Sequence, residues 1–345
     1  MMGIEGRKRE HIDTVLTKDV SAKGVTAGFE RYFFEHVALP EIDLDAVDMS
    51  CSVFGKKLSA PLLISSMTGG TLIARDINRR LAAVAQSLGI AMGVGSQRAA
   101  IEDPTSADTF NVRPVAPDIL LFANLGAVQL NYGYTSDHAQ RAIEMIDANA
   151  LFLHLNPLQE AVQAGGDRNW SGLLAKIGHL VKAIDVPVVV KEVGNGISAV
   201  TARRLVDLGV AGIDVAGAGG TSWSEVEAFR QKDPAARRVA HSFAGWGIPT
   251  AMALNDVSAE IPGVPVFASG GIRSGIDAAK AIRLGASLVG MAAPALGAAA
   301  AATDEAGTLA AAIEELRIAM FCTGSRDLGA LKSAVLRHVS DGRAV

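Results

Sequence analysis

Short runs of consecutive apolar residues recur along the chain, each closed by glycine, proline or small polar residues. They are Pro61 to Met67, Ile90 to Ser96, Ile119 to Gly126, Ala150 to Asn156, Pro187 to Gly194, Gly212 to Gly220, Val264 to Gly271 and Leu288 to Pro294. Runs this short and without alternation predict strands buried on both faces, as parallel sheets require. Between them, INRRLAAVAQSLG, WSGLLAKIGHLVKAI, SAVTARRLVDLG and SGIDAAKAIRLGA carry apolar residues every three or four positions, the period of a half-buried helix. Ser198 and Ser274 stand where helix N-caps belong. Repeated alternation of this kind predicts an α/β protein, a (β/α)8 barrel over residues 61–345, closed by right-handed crossovers. Residues 1–60 read as an N-terminal extension across the barrel that contributes to its substrate site. The interval from Gly220 to Val264 reads as a loop-plus-helix insertion near the sixth strand. An open doubly wound sheet competes, but no G-x-G-x-x-G opens a helix after the first strand, and polar, glycine-rich residues recur after nearly every strand. A barrel gathers all of them on its C-terminal face.

Composition narrows the class. Of 345 residues 49% are hydrophobic, which excludes general disorder and supplies a large core. The 32 Lys and Arg against 36 Asp and Glu leave a net charge of −4, so no global field draws nucleic acid or an anionic membrane, and an anionic ligand must be held by local groups. Cys51 and Cys322 make neither a disulfide framework nor a zinc cluster, which fits a reducing cytoplasm. The start, MMGIEGRKREHI, puts charges where a signal peptide needs apolar residues. Ala292 to Ala302 falls short of the roughly 20 apolar residues of a membrane helix.

The candidate chemistry sits at the strand ends. ASGGIRSGIDAAK combines Gly270 and Gly271, whose backbone N–H groups can approach a ligand closely, with Ile272, Arg273 and a capped helix, the usual phosphate site of a barrel. GAGGTSW adds Gly219, Gly220, Thr221 and Ser222 as a second donor cluster. Lys191, inside VVVKEVG, costs several kcal/mol if buried unpaired, so it faces either an electron-rich ligand or a structural acid such as Glu192. Ser66, Met67, Thr68, Gly69, Ser96, Gln97 and Asn124 close the first three strands and suit the polar edge of a planar heteroaromatic ring such as a flavin. HLNPLQE closes the fourth with His154, Asn156, Gln159 and Glu160. Glu160 suits one hard cation such as Mg2+, or is a helix N-terminal acid. The basic run Arg7, Lys8, Arg9 by itself is a solvated terminus.

In combination and in this order, RKREHI, SSMTGG, GVGSQR, HLNPLQEAVQ, VVVKEVGNGIS, DVAGAGGTSW, WGIPT and ASGGIRSGIDAAKAIRLGA resemble the type 2 isopentenyl-diphosphate isomerases, from Arg7 to about Met320. RKxEH and HLNPLQE are specific to that family, whereas GGIR and the sixth-strand glycines are shared by many FMN barrels. The resemblance implies isomerisation of isopentenyl to dimethylallyl diphosphate with reduced FMN, NADPH as reductant and Mg2+, in a cytoplasmic homo-oligomer, tetramer or octamer. It implies that Arg7, Lys8, Ser96, Gln97 and Arg98 bind the diphosphate and that Glu160 binds Mg2+. Ser66, Met67, Thr68, Gly69, Ser96, Asn124, Lys191 and Thr221 would contact FMN, with Gly270, Gly271, Ile272, Arg273, Ala292 and Ala293 around its phosphate. Asn156 and Trp223 would line the substrate pocket, and Gln159, His154 and Lys191 would carry the catalysis. One departure is visible. Where family members often continue QPEGDR, this chain has Gln163-Ala164-Gly165-Gly166-Asp167-Arg168, which questions a metal or loop-ordering role there.

An FMN-dependent 2-hydroxyacid oxidase on the same barrel is the main alternative, but GAGGTSW lacks the histidine base that such an enzyme needs. An IMP-dehydrogenase-like enzyme needs a nucleophilic cysteine after the sixth strand, and Cys51 and Cys322 lie elsewhere. A non-catalytic flavin-binding barrel would leave the polar groups of RKREH and HLNPLQE without a purpose.

Overall fold

The computed structural model describes residues 4–301 and 303–340. Three short strands lie outside the barrel before its first turn: β1 (Tyr32–Phe34), β2 (Cys51–Val53) and β3 (Lys56–Leu58). The barrel strands are β4 (Leu62–Ile64), β5 (Ala91–Gly93), β6 (Leu121–Gly126), β7 (Ala150–His154), β8 (Val188–Lys191), β9 (Gly212–Asp214), β10 (Val266–Ala268) and β11 (Leu288–Met291). All eight pair in parallel with their neighbours, and β11 returns to β4 with Met291 opposite Ile64, closing the sheet. Each of the eight apolar runs contains one of these strands, as the continuous apolar pattern requires.

Two cores hold the layers together. Inside the barrel, Phe122 stacks on Phe152 with ring centroids 4.2 Å apart, and Phe267 meets both rings edge-on. Phe54, at the turn of the β2–β3 hairpin, packs against Phe122 and Phe267 and plugs the end where the strands begin. Outside, helices lay apolar stripes against the sheet. In Leu72–Leu88 the buried Ala74, Ile77, Leu81, Ala82 and Ala85 follow the three-and-four spacing. Thr71 caps that helix by accepting the Ala74 N–H, and Gly89 ends it in the left-handed region at φ 63°. Ser198 and Ser274 cap as expected, accepting from the N–H groups of Thr201 and Asp277.

The interval after β9 is more helical than the sequence pattern suggests. It holds Trp223–Arg230, Pro234–His241 and Thr250–Glu260. The first carries no clear apolar stripe because its buried face includes Ser224, bonded to the neighbouring Ser222, and Glu225 and Glu227, which meet His241 and His11 of other segments. The alanine-rich stretch forms a helix, Ala293–Ala301. Among the described residues no helix is long and apolar enough to cross a membrane.

The N-terminal helix Ile4–Thr17 lies against Trp223–Arg230. The strand-like segment after it is tied to the sixth-strand loop by Ala22 N–H to Gly220 O (2.9 Å) and Ser222 N–H to Val20 O (2.8 Å). A Cβ on Gly219, which has φ 117°, would sit 2.0 Å from the Ala27 nitrogen, so only glycine permits this approach. Further on, β1 pairs antiparallel with β12 (Leu336–His338), joining the two ends of the chain.

Candidate active site

The C-terminal ends of the barrel strands surround a cavity of about 450 Å³. Its floor is polar. Ser65 and Ser66 follow β4, and their buried hydroxyls have no hydrogen-bond partner within the protein. Glycines make room for them, since a Cβ on Gly93 would lie 2.6 Å from Ser66 Oγ and one on Gly290 would lie 2.4 Å from Ser65 Oγ. Burying hydroxyls unpaired is costly, so this floor suits a ligand with a hydrogen-bonding edge. Met67, Thr68 and Gly69 continue the wall, and a Cβ on Gly69 would sit 1.9 Å from the Phe110 ring.

Asn124 and His154 stand side by side on β6 and β7. Asn124 Nδ2 donates to Val94 O at 3.1 Å, which turns its Oδ1 toward His154 Nδ1 at 2.8 Å. That oxygen only accepts, so Nδ1 carries the proton and Nε2 is the acceptor. Burial, with the positive charges of Lys191 and Lys8, pushes His154 down to about 3, so the ring is neutral at pH 7.

Lys191, at the end of β8, lines the cavity and is buried. It has structural partners and a place in the cavity wall. Its ammonium donates to the Glu192 carbonyl at 2.6 Å and lies 3.5 Å from Asp214 Oδ2, while remaining in the cavity wall. The structural acid is therefore Asp214, on β9. The Glu192 carboxylate turns away and accepts N–H groups from Val193, Gly194 and Asn195. Burial raises Glu192 to about 7, against the lowering effect of those donors and of Lys191.

The opposite side is built for an anion. Gly270 and Gly271 have φ of 100° and 73°, and the Thr250 hydroxyl, fully buried, donates to Gly270 O at 2.6 Å. Thr221, Gly271, Ile272, the exposed Arg273, and Ala292 and Ala293 at the start of the helix Ala293–Ala301 all line this side. Open N–H groups at a helix start favour negative charge.

A polar cluster closes the mouth. Lys8 Nζ donates to Ser96 O at 2.6 Å and lies 4.9 Å over the Phe110 ring. Arg98 bonds Glu102 and Asp167, each at 2.7 Å. Asn156 Nδ2 donates to Gln159 Oε1 (3.0 Å) and Glu160 Oε1 (3.1 Å), and its own Oδ1 is buried without a partner. Glu160 Oε2 accepts from Gln163 Nε2 (2.6 Å) and the Asp167 N–H (2.7 Å). Gln159 Nε2 donates to Glu227 Oε1 (3.1 Å), which also meets His11 Nε2 (2.9 Å). Burial would raise Glu227, but the hydrogen bond and charge of His11, with Arg230, hold it below the ordinary carboxylate range. Trp223 meets the His11 ring edge-on at 5.3 Å and faces the cavity.

Most of the residues singled out in the sequence thus converge on one cavity. Gln97 does not. It is fully buried, donating to Ala142 O (2.8 Å) and accepting the Asn124 N–H (2.9 Å), because its side chain turns into the β6 layer rather than toward the mouth. The side chain of Arg7 lies outside the described residues. The segment that departs from QPEGDR does order a loop: Asp167 binds Arg98 and Gln129 through its carboxylate and Glu160 through its N–H, and a Cβ on Gly166 would sit 2.0 Å from Glu160 O. Sequence reasoning missed Asp214, Glu227, His11 and Ser65 as parts of the site. Asp214 was open to the argument applied to Lys191, a charge within an apolar strand. Glu227 carried no signal, since an acid in a helical segment is ordinarily solvated.

The chain matches the family of FMN-dependent dehydrogenases over residues 3–115 and 140–338. It is 61% identical over 338 residues to the isopentenyl-diphosphate delta-isomerase of Synechocystis sp., covering 98% of this chain and 97% of that protein. Its identity to the protein of the same name from Cronobacter sakazakii is 54% over 337 residues, covering 97% of each. Among solved structures, a mandelate oxidase superposes with TM-score 0.66 at 20% identity, covering 97% of this chain and 99% of that one. A flavocytochrome b2 superposes with TM-score 0.70 at 19% identity, covering 97% and 85%. At that identity the two structures speak for the barrel fold alone.

Proposed function

This chain belongs to the type 2, FMN-dependent isopentenyl-diphosphate delta-isomerases, and from that premise we propose how its residues divide the work. The reaction moves a carbon–carbon double bond, adding a proton at one carbon and removing one from another without net oxidation. An unactivated alkene has no acidic proton, so positive charge develops on a tertiary carbon and needs an electron-rich neighbour. Reduced FMN, when bound, supplies that neighbour and an acid–base edge, while Mg2+ neutralises the diphosphate.

The two unpartnered hydroxyls of Ser65 and Ser66 are the observation that carries the cofactor side of this reading. Ser66, Met67, Thr68, Gly69, Asn124 and Lys191 hold the flavin ring, with Thr221, Gly270, Gly271, Ile272, Arg273, Ala292 and Ala293 around its phosphate. Lys191 places positive charge at the ring edge. Lys8, Ser96 and Arg98, with Arg7, grip the diphosphate, and Asp167 keeps Arg98 turned to it. For Mg2+ the fit rests on Glu160 and the buried, unpartnered Asn156 Oδ1, an all-oxygen pair to which substrate phosphates and water add the remaining ligands. Among the described residues no group of three His, Cys, Asp or Glu is placed to hold a metal ion.

Gln159 is oriented from both ends, by Asn156 and by Glu227, so its amide presents one fixed face to the alkene. Neutral His154 offers Nε2 as an acceptor without placing a second positive charge beside the developing cation. The Trp223 ring face suits that cation. NADPH as reductant, the homo-oligomer and the cytoplasmic setting rest on the family resemblance. Residues 1–60 belong to the substrate site through Lys8 and His11.

The deciding experiment incubates the purified, FMN-loaded protein, reduced anaerobically, with isopentenyl diphosphate and Mg2+. Dimethylallyl diphosphate is the expected product, and its absence ends the reading. Oxidation of a 2-hydroxy acid in place of isomerisation would establish the alternative.

A further inference from the structure

Behind the cavity wall lies an acid that the reaction as described does not use. Asp214 is fully buried on β9, between Lys191 of β8 and Ser269 of the β10 end. Its Oδ1 accepts the Ser269 hydroxyl at 2.7 Å and the Ala216 N–H at 3.2 Å. Its Oδ2 has no hydrogen-bond partner and lies 3.5 Å from the Lys191 ammonium. The contacts of the carboxylate are two hydrogen-bond donors and the Lys191 ammonium. Ala216, held through its N–H, is one of few non-glycine residues at positive φ, 37°, and it too lines the cavity. A buried carboxylate with an open oxygen beside a buried ammonium is a costly arrangement for stability alone.

We propose that Asp214 is a positioning residue that aims the Lys191 ammonium at the flavin edge and offsets its positive charge, thereby limiting how strongly the protein favours reduced FMN. This deepens the proposed function and rests on Lys191 facing FMN. Asp214 reaches no ligand itself, because Lys191, Ala216 and Ser269 stand between it and the cavity. The isosteric Asp214→Asn would leave the Lys191 charge unopposed in the cavity wall, and an uncompensated cation would stabilise the electron-rich reduced form of bound FMN. In Lys191→Met no ammonium is left for Asp214 to aim or offset, so Asp214→Asn then changes little.

The test is an anaerobic titration of the FMN-loaded protein against a reference redox dye. At a poise where wild-type FMN is half reduced, Asp214→Asn is expected to move the reduced-to-oxidised ratio at least about tenfold toward reduced, about 30 mV for a two-electron couple. In the Lys191→Met background the same exchange is expected to move it by less than about threefold. An unchanged ratio in Asp214→Asn overturns the proposal, and so does an equal shift in both backgrounds, which would make Asp214 act directly on the flavin. Should Asp214→Asn not hold FMN, Asp214→Ser replaces it, and failure of both to hold FMN assigns Asp214 a purely structural role and overturns the proposal. If wild-type protein binds no FMN, the proposed function falls together with the inference; if FMN binds and only the shift is missing, the inference alone falls.

Discussion

The buried pair of Glu192 and His154 predicts an unusual dependence of stability on pH. Glu192 titrates at about 7 in the fold against an ordinary 4.5. A group whose pKa is raised by folding stabilises at low pH, and that contribution is lost as pH rises from 4.5 through about 7. At about 1.4 kcal/mol per pH unit, raising the pH to about 7.5 costs the fold about 3 kcal/mol through Glu192. His154 works in the other direction, because it is neutral in the fold down to about 3 and protonates at 6.5 when unfolded. Acidifying from about pH 7.5 to about pH 4.5 therefore costs the fold about 3 kcal/mol through His154. Between those two conditions the contributions cancel.

Glu192→Gln removes one side of the balance. The amide oxygen still accepts from Val193, Gly194 and Asn195, so the loop keeps its shape. Urea unfolding of FMN-free wild type and variant at both pH values measures the difference, in which groups common to both proteins drop out. Relative to wild type, the variant is expected to lose about 3 kcal/mol on acidification, about 1 M in urea midpoint for a chain of this size. Parallel behaviour of the two proteins would refute the reasoning, since it would mean that Glu192 titrates alike in the folded and unfolded chain.

Four further outcomes are expected. Glu227→Gln exchanges a buried acceptor for an amide beside Gln159, His11 and Arg230, so steady-state kinetics should show kcat lowered about ten- to a hundredfold with KM less affected; its stability deficit should shrink below about pH 4.5, where the wild-type carboxylate, lowered in the fold, loses its advantage. Asp167→Asn weakens the hold on Arg98 and should raise KM for the diphosphate about tenfold while sparing kcat. Gly69→Ala drives a methyl into the Phe110 ring, and thermal unfolding should report a loss of about 1–3 kcal/mol, with fluorescence titration showing weaker FMN binding. Chelating Mg2+ should abolish turnover while leaving the absorbance of bound FMN unchanged, and activity that survives chelation would remove Glu160 from the metal role.

Much of the fold was legible because parallel strands buried on both faces must be apolar throughout, and so β4 to β11 announced themselves. Ser198 and Ser274 were legible because a cap is a local hydrogen bond. The helices after β9 were not, because Trp223–Arg230 buries Glu225 and Glu227, whose partners His241 and His11 lie outside that helix. Gln97 looked like a ligand residue beside Ser96 and Arg98, and only the path of the chain after β5 turned it inward to Ala142.

The order of apolar runs, caps and turn glycines carries the barrel architecture and the face at which the polar strand ends gather. Periodicity, caps and turn glycines act over a few residues, and parallel strands must close with their C-terminal ends together. Tertiary structure alone decided which polar groups meet: Lys191 with Asp214 rather than with the Glu192 carboxylate, Gln159 with Glu227, and Arg98 with Asp167. Those pairings join residues from separate strands and loops, so they are set by how the barrel closes and how its loops fold over the mouth. The strength of each depends on the water that closure excludes.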